Sequence, residues 1–185
     1  ALDMSLPDPD GAAAGVDWPG LLARVLPHVD VFTPSVEELL FMVAPDEWSR
    51  LAARSDGGDV VDLIGDELRA ELASEVIALG ARIVLLKAGH RGGYLRSGDI
   101  TDGVRPLSLA ADDACTEGLC LRPLPVDQKR FVNACGAGDA AVAGFLTGLL
   151  RGDGIRAAAS QAMQVGRDSL YGADTTSGLG RLEGH

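Results

Sequence analysis

The sequence has no surplus of positive charge: 16 Lys and Arg stand against 27 Asp and Glu, a formal net charge of -11 at pH 7. A surface that binds nucleic acid needs the opposite balance, so no nucleic-acid partner is expected. The acids are scattered, which reads as solvated surface. No stretch reaches the roughly 18 apolar residues of a membrane span. The longest candidate, Ala140 to Leu150, is broken by Gly144, Thr147 and Gly148. No basic segment followed by an apolar core opens the chain, so the secretory pattern is missing; a cytoplasmic location without a membrane partner is expected. Cys115, Cys120 and Cys135 form an odd set without metal-ligand spacing, so free thiols are expected rather than a disulfide framework or a zinc site. An early Gly-x-Gly-x-x-Gly turn is missing too, which argues against a dinucleotide-binding domain. No internal repeat or heptad pattern occurs.

What is present is a chain of 185 residues, 46% hydrophobic, enough to bury one good core. A single domain over residues 1–185 is expected. Helical spacing runs from Trp18 to Val29, with Leu21, Leu22, Val25 and Leu26 on one face. Val29 to Thr33 reads as a short buried strand. Pro34 suits the start of a helix, with Ser35 as its cap and Glu38 three positions on. A long amphipathic helix is predicted from Val60 to Leu79, ended by Gly80. Ala81 to Lys87 is nearly all apolar, as a parallel strand buried on both faces would be. Tyr94 to Arg96 is expected to pair with it across the Gly89–Gly93 turn. Residues 97–129 carry only weak strand and loop signals. Phe131 to Ala134 reads as a last strand, followed by helices over Ala137 to Leu150 and Gly154 to Tyr171. Strands alternating with long helices predict an α/β layered fold, whose ligands gather at the carboxyl ends of strands.

The most informative stretch is Phe131-Val132-Asn133-Ala134-Cys135-Gly136-Ala137-Gly138-Asp139, which leads straight into the alanine-rich Ala140 to Leu146. Gly136 and Gly138 let the backbone bend and bring bare N–H groups near a ligand. The first N–H groups of a helix lack intrahelical partners and carry partial positive charge, so this end suits a phosphate or an oxyanion. Asp139 sits at the mouth of that site, where a carboxylate can take a proton from an attacking hydroxyl. Its alternative role is a plain helix N-cap, which Asp also favours.

The run from Gly136 to Phe145 resembles the C-terminal signature of ribokinase-like (PfkB-type) carbohydrate kinases. Two further segments agree in order. Asp30 to Leu39 resembles the family's strand-then-helix segment, usually Asn-x-x-Glu, and Ile83 to Tyr94 resembles its nucleotide-side strand and glycine turn. Family members begin with a further N-terminal half that carries most of the sugar pocket and a small β-sheet lid; that half is expected to lie outside these 185 residues. The implied architecture is three-layer, a mostly parallel sheet with helices on both faces.

The resemblance also implies roles. Asp139 would be the catalytic base, and the amides around Gly136, Ala137, Gly138 and Asp139 would hold the transferring phosphate. Glu38 would act on Mg²⁺ through water, its alternative being a capping box with Ser35 that carries no metal role. Ser35 replaces the usual Asn. Lys87 stands where many members have Thr near the nucleotide phosphates; its alternative is a strand-end lysine in solvent. Gly89 would let the backbone approach the adenosine, and Asn133 would lie on the nucleotide side before the turn. Near Gln161 to Gly166 the last helix would line the adenine pocket, although Ala158, Ala159 and Ala162 fit helix–helix packing better. At residues 3–7, where members often read Asp-x-Asn-x-Arg, Ser5 and Pro7 depart from the pattern. The activity implied is ATP-dependent phosphoryl transfer to a hydroxyl of a sugar or nucleoside-like molecule, with ATP and Mg²⁺. The rival reading is a non-catalytic nucleotide-binding or interaction module. A sheet lacking its first strands also exposes an edge, which favours self-association as a homodimer.

Overall fold

The computed structural model describes residues 1–8, 11–100, 107, 109 and 113–174. Helix α1 (Trp18–Val25) is capped by Asp17, whose carboxylate accepts from the Gly20 N–H. It is shorter than its periodicity suggested. Pro27 lacks the N–H that would continue the helix, and a 3-10 turn, Leu26–His28, takes over. Strand β1 (Val31–Phe32) leads into α2 (Val36–Val43). A further helix, α3 (Pro45–Ser55), follows at once; Pro45 opens it, and Asp46 and Glu47 lie in its first turn, where the helix dipole favours acids.

The long helix predicted over Val60 to Leu79 is two elements. Val60–Leu63 is a 3-10 turn capped by Asp59, and α4 covers Asp66–Ala78 from an N-cap at Gly65. Glycine in a helix interior costs about 1 kcal/mol relative to alanine, so Gly65 marks the break. Strands β2 (Ile83–Lys87), β3 (Gly93–Ser97) and β4 (Leu119–Leu121) follow, and α5 (Ala137–Arg151) and α6 (Ile155–Ser169) complete the described elements.

The sheet runs β1-β2-β3-β4. It is mixed rather than mostly parallel among the described residues: β1 pairs with β2 in parallel, whereas β2–β3 and β3–β4 are antiparallel. The cause is connection length. Residues 88–92 are too few for a crossover, so β3 must return beside β2 as a hairpin. Isolated parallel bridges join Leu2 to Phe32 and Ser35 to Lys87.

Alternation along the strands divides the core. Phe32, Val84, Leu86 and Tyr94 pack with α1, α2, α3 and α4. Val31, Ile83, Leu85 and Leu95 pack with Phe145, Leu149 and the alanines of α6. Successive strand residues point to opposite faces, so a sheet covered on both sides needs the unbroken apolar run Ile83 to Leu86. The strand predicted at Phe131 to Ala134 does not form. Val132 donates to the Leu170 carbonyl at 2.9 Å and Phe131 to the Asp127 carbonyl at 3.1 Å, so the segment turns and follows the end of α6. Phe131 and Val132 remain exposed. No described helix is long and apolar enough to cross a membrane.

Candidate functional site

Three parallel segments end side by side. Leu2 bridges Phe32 in parallel, and β1 runs parallel to β2, so the residues just beyond Leu2, Phe32 and Leu86 emerge on one rim of the sheet. Those residues are Asp3, the Thr33-Pro34-Ser35 link and Lys87. The N-terminus of α5 meets the same rim. An open cleft of about 410 Å³ lies there, lined by Asp3, Ser35, Glu38, Lys87, Gly89, Gly136, Gly138 and Asp139 together with Glu37 and Asp59. A second opening, sharing Asp3, Met4, Ser5 and Asp139, extends toward Pro7, Ala13 and Trp18.

The glycine turn is built as its residue types require. Gly136, the N-cap of α5, has φ of 75°, a left-handed conformation that costs other residues energy. Ala137 donates to the Ala134 carbonyl at 3.2 Å, so its amide is already engaged. The amides of Gly138 and Asp139 have no acceptor among the described residues. Ala137 therefore drops out of the expected phosphate-holding set of Gly136, Ala137, Gly138 and Asp139, and Gly138 and Asp139 are the α5 residues left with open amides. Asp139 is the third residue of α5, not its cap, and its carboxylate makes no capping hydrogen bond. The plain N-cap alternative does not describe it; the carboxylate stands exposed at the cleft mouth.

Lys87 is not the solvated strand-end lysine of the alternative reading. Its side chain is only 14% exposed, and its Nζ donates to both carboxylate oxygens of Asp3, at 2.8 and 2.7 Å. A Cβ on Gly138 would stand 3.8 Å from that Nζ, so the ammonium lies against the turn. Gly89 has φ of 50° with open space where a side chain would project, leaving its backbone accessible.

Glu38 does close the capping box. The Ser35 N–H donates to Glu38 Oε2 at 2.7 Å, and the Glu38 N–H donates to Ser35 Oγ at 3.3 Å. Its neighbour Glu37 has a carboxyl raised above the usual range, chiefly by burial, then by the charge of Asp59 and a hydrogen bond to it, with Glu38 adding to the effect. No group of three or more His, Cys, Asp or Glu among the described residues can hold a metal ion unaided. Mg²⁺ keeps several waters and is held by one or two carboxylates plus substrate phosphates. A single carboxylate on the cleft wall, Glu38, acting through water is compatible with that kind of ion.

Asn133 does not line the cleft. Its Nδ2 donates to the Gly172 carbonyl at 3.1 Å, and its Oδ1 accepts from the Cys135 N–H at 2.8 Å. It ties the glycine turn to the end of α6. Ala158, Ala159 and Ala162 pack into the core against α5, as helix–helix packing requires. Sequence reasoning left Asp3, Glu37 and Asp59 without roles. Asp3 lies in the segment compared with Asp-x-Asn-x-Arg, which is its only signal; nothing near Asp59 in sequence ties it to Glu37.

Comparison with known proteins gives a consistent picture. A family model for "pfkB family carbohydrate kinase" matches residues 2–171. Among solved structures, the chain is similar to aminoimidazole riboside kinase from Salmonella enterica, complexed with aminoimidazole riboside and an ATP analogue. That match has a TM-score of 0.60 and 20% identity, and covers 96% of this chain and 48% of the other. It is also similar to a Thermotoga maritima ribokinase, with a TM-score of 0.56 and 17% identity over 91% of this chain and 43% of that one. An Arabidopsis thaliana ribokinase complexed with ribose and ATP matches at a TM-score of 0.55 and 16% identity, over 82% and 38% of the two chains. The chain thus spans less than half the length of each of these structures. No curated protein sequence matches it.

Proposed function

The chain belongs to the pfkB family of carbohydrate kinases, and from that premise we propose that it provides the nucleotide side of an ATP-dependent kinase acting on a hydroxyl of a sugar or nucleoside-like acceptor. The observation that carries the proposal is the cluster on one sheet rim of two unpaired amides, Gly138 and Asp139, a free carboxylate on Asp139, and the Lys87 ammonium against the same turn. Phosphoryl transfer asks for this kind of positioning and charge stabilisation and for little covalent chemistry from the protein. In this reading the Gly138 and Asp139 amides and the α5 dipole hold the transferring group's oxygens. Lys87 neutralises phosphate charge, and the Asp139 carboxylate accepts the hydroxyl proton. The cleft carries five carboxyl groups, on Asp3, Glu37, Glu38, Asp59 and Asp139, against one ammonium. A polyphosphate is therefore expected to enter with its cation. In this reading Glu38 would hold Mg²⁺ through water, and the ion would supply neutralisation of phosphate charge. The packing of helices on both faces of the sheet supports a three-layer arrangement.

Calorimetry with MgATP and a coupled ADP-release assay over a panel of sugars and nucleosides test the proposal. Asp139→Asn is expected to abolish acceptor-dependent ADP release while leaving MgATP affinity intact. Undiminished release would remove Asp139 from its role. The open form of both clefts favours one rival, a nucleotide-binding module that is not itself a catalyst. MgATP binding with no acceptor-dependent release by the native chain selects that rival.

A further inference from the structure

Asp3 and Lys87 are 84 positions apart, yet they make the tightest charge contact of the cleft. Asp3 is held on rigid backbone. Leu2 donates to the Val31 carbonyl at 2.8 Å and its own carbonyl accepts from Thr33 at 2.9 Å, so both backbone groups of the residue before Asp3 are tied to the β1 segment. The Asp3 carboxylate is oriented in turn by the Met4 N–H, which donates to Oδ1 at 2.9 Å. Lys87 is fixed at its backbone by donation to the Pro34 carbonyl at 3.0 Å. Between them, an ammonium on a flexible four-carbon stem is held in one place, largely out of water and against Gly138.

A lone lysine at a strand end extends its head into solvent and must surrender that freedom whenever it binds an anion. A lysine already clamped has lost it beforehand. An ammonium has three N–H donors, and the Asp3 carboxylate takes two, which leaves one for a phosphate oxygen. We propose that Asp3 is a positioning residue for the phosphate contact of Lys87: its carboxylate stations the ammonium beside the Gly136–Asp139 turn before nucleotide arrives. This rests on the reading of Lys87 as a phosphate-binding residue. Asp3 itself touches no reacting atom.

The test uses the full chain with MgADP as probe, in calorimetry of the native protein, Asp3→Asn, Lys87→Met and the double variant, each checked for an unchanged Tm. A second readout is the rate at which an amine-acylating reagent modifies Lys87, followed by mass spectrometry. Lys87→Met is expected to weaken MgADP by about tenfold or more, as loss of a charged phosphate contact does. Asp3→Asn is expected to weaken it by about threefold to tenfold and to speed acylation of the released Lys87. The double variant should bind no more weakly than Lys87→Met, because Asp3 acts through Lys87. Unchanged or tighter MgADP binding in Asp3→Asn, with Lys87→Met impaired, overturns the positioning role and leaves Lys87 in place. Unchanged binding in Lys87→Met removes the Lys87 contact and the proposal with it. A native chain that takes up no MgADP sinks the nucleotide-side reading itself. If Asp3→Asn does not fold, Asp3→Glu replaces it: the longer arm displaces the ammonium, so weaker MgADP binding supports the role and unchanged binding overturns it.

Discussion

Glu38 spends one carboxylate oxygen on the Ser35 N–H, at 2.7 Å, on the very rim where a metal-bound phosphate would lie. A capping role and a metal-directed role therefore share one side chain. They separate by substitution. Glutamine keeps an oxygen that accepts from Ser35, so Glu38→Gln should leave Tm nearly unchanged. It removes the charge, so MgADP binding should need several times more Mg²⁺. Glu38→Ala loses both and should destabilise the chain by about 0.5–1 kcal/mol. Titrating Mg²⁺ at fixed ADP, beside thermal melts, checks both arms. An unshifted Mg²⁺ requirement in Glu38→Gln would leave Glu38 a cap and nothing more.

Gly136 and Gly138 should answer alanine in opposite ways. Gly136 has φ of 75°, so Gly136→Ala forces a side chain into the left-handed region and should cost about 1–2 kcal/mol of stability. Gly138 is helical, and a Cβ there meets only Lys87 atoms at 3.8 to 4.0 Å, an ordinary contact. Gly138→Ala should therefore fold as well as the native chain, or better by up to about 1 kcal/mol. The same methyl stands in the cleft beside the Lys87 ammonium and should weaken MgADP by about tenfold, roughly one charged hydrogen bond. Melting and calorimetry on the two variants decide it. Intact binding by Gly138→Ala would mean that phosphate does not approach this turn.

Much of this site was legible because its signals are local. The glycine turn before an alanine-rich helix, the Ser35–Glu38 spacing and the apolar run ending at Lys87 each name an element end within a few residues. Where those ends meet follows from one rule, that parallel strands place their carboxyl ends together. The failures have a common physical form. Asp3 was seen only as the start of a variant motif, because its partner Lys87 is 84 positions away and no local pattern carries such a pairing. The same is true of Glu37 and Asp59, whose contact depends on how a 3-10 turn sits on α2. Phe131 and Val132 look like strand residues by composition. Their hydrogen bonds go instead to the Asp127 carbonyl and the end of α6, and tertiary context prevailed over propensity. Gly65 and Pro27 are breakers whose effect a periodic reading averaged away.

The seam between α5 and α6 supports the turn from beneath, and it depends on missing side chains. A Cβ on Gly148 would lie 2.8 Å from Ala158 Cα and 2.9 Å from its Cβ. Backbone cannot yield as a flexible side chain can. Gly148→Ala is expected to push the helices apart and cost about 1–3 kcal/mol, despite the better helix propensity of alanine. Chemical denaturation should show a lower midpoint with an unchanged slope. A midpoint equal to or above that of the native chain would show that the helices are not packed so closely.

The Glu37 carboxyl is raised above its ordinary value, first by burial and then by Asp59 and Glu38, and this predicts the direction of a pH effect. The folded chain holds that proton more tightly than the unfolded chain. Its contribution to stability is therefore fully present below the ordinary carboxylate pKa and is lost as pH rises through the raised folded value. Above that, an ionised Glu37 faces Asp59 and Glu38 in a part-buried corner, with His90, in a 3-10 turn over Gly89–Arg91, 3.9 Å from Asp59. Glu37→Gln imitates the protonated acid at every pH and keeps a donor for Asp59. Its Tm should match that of the native chain near pH 4.5 and exceed it by about 1–3 °C at pH 7.5. Melts across that range, at constant ionic strength, give the comparison. A Tm difference that stays the same at both ends would show that Glu37 does not titrate in this corner.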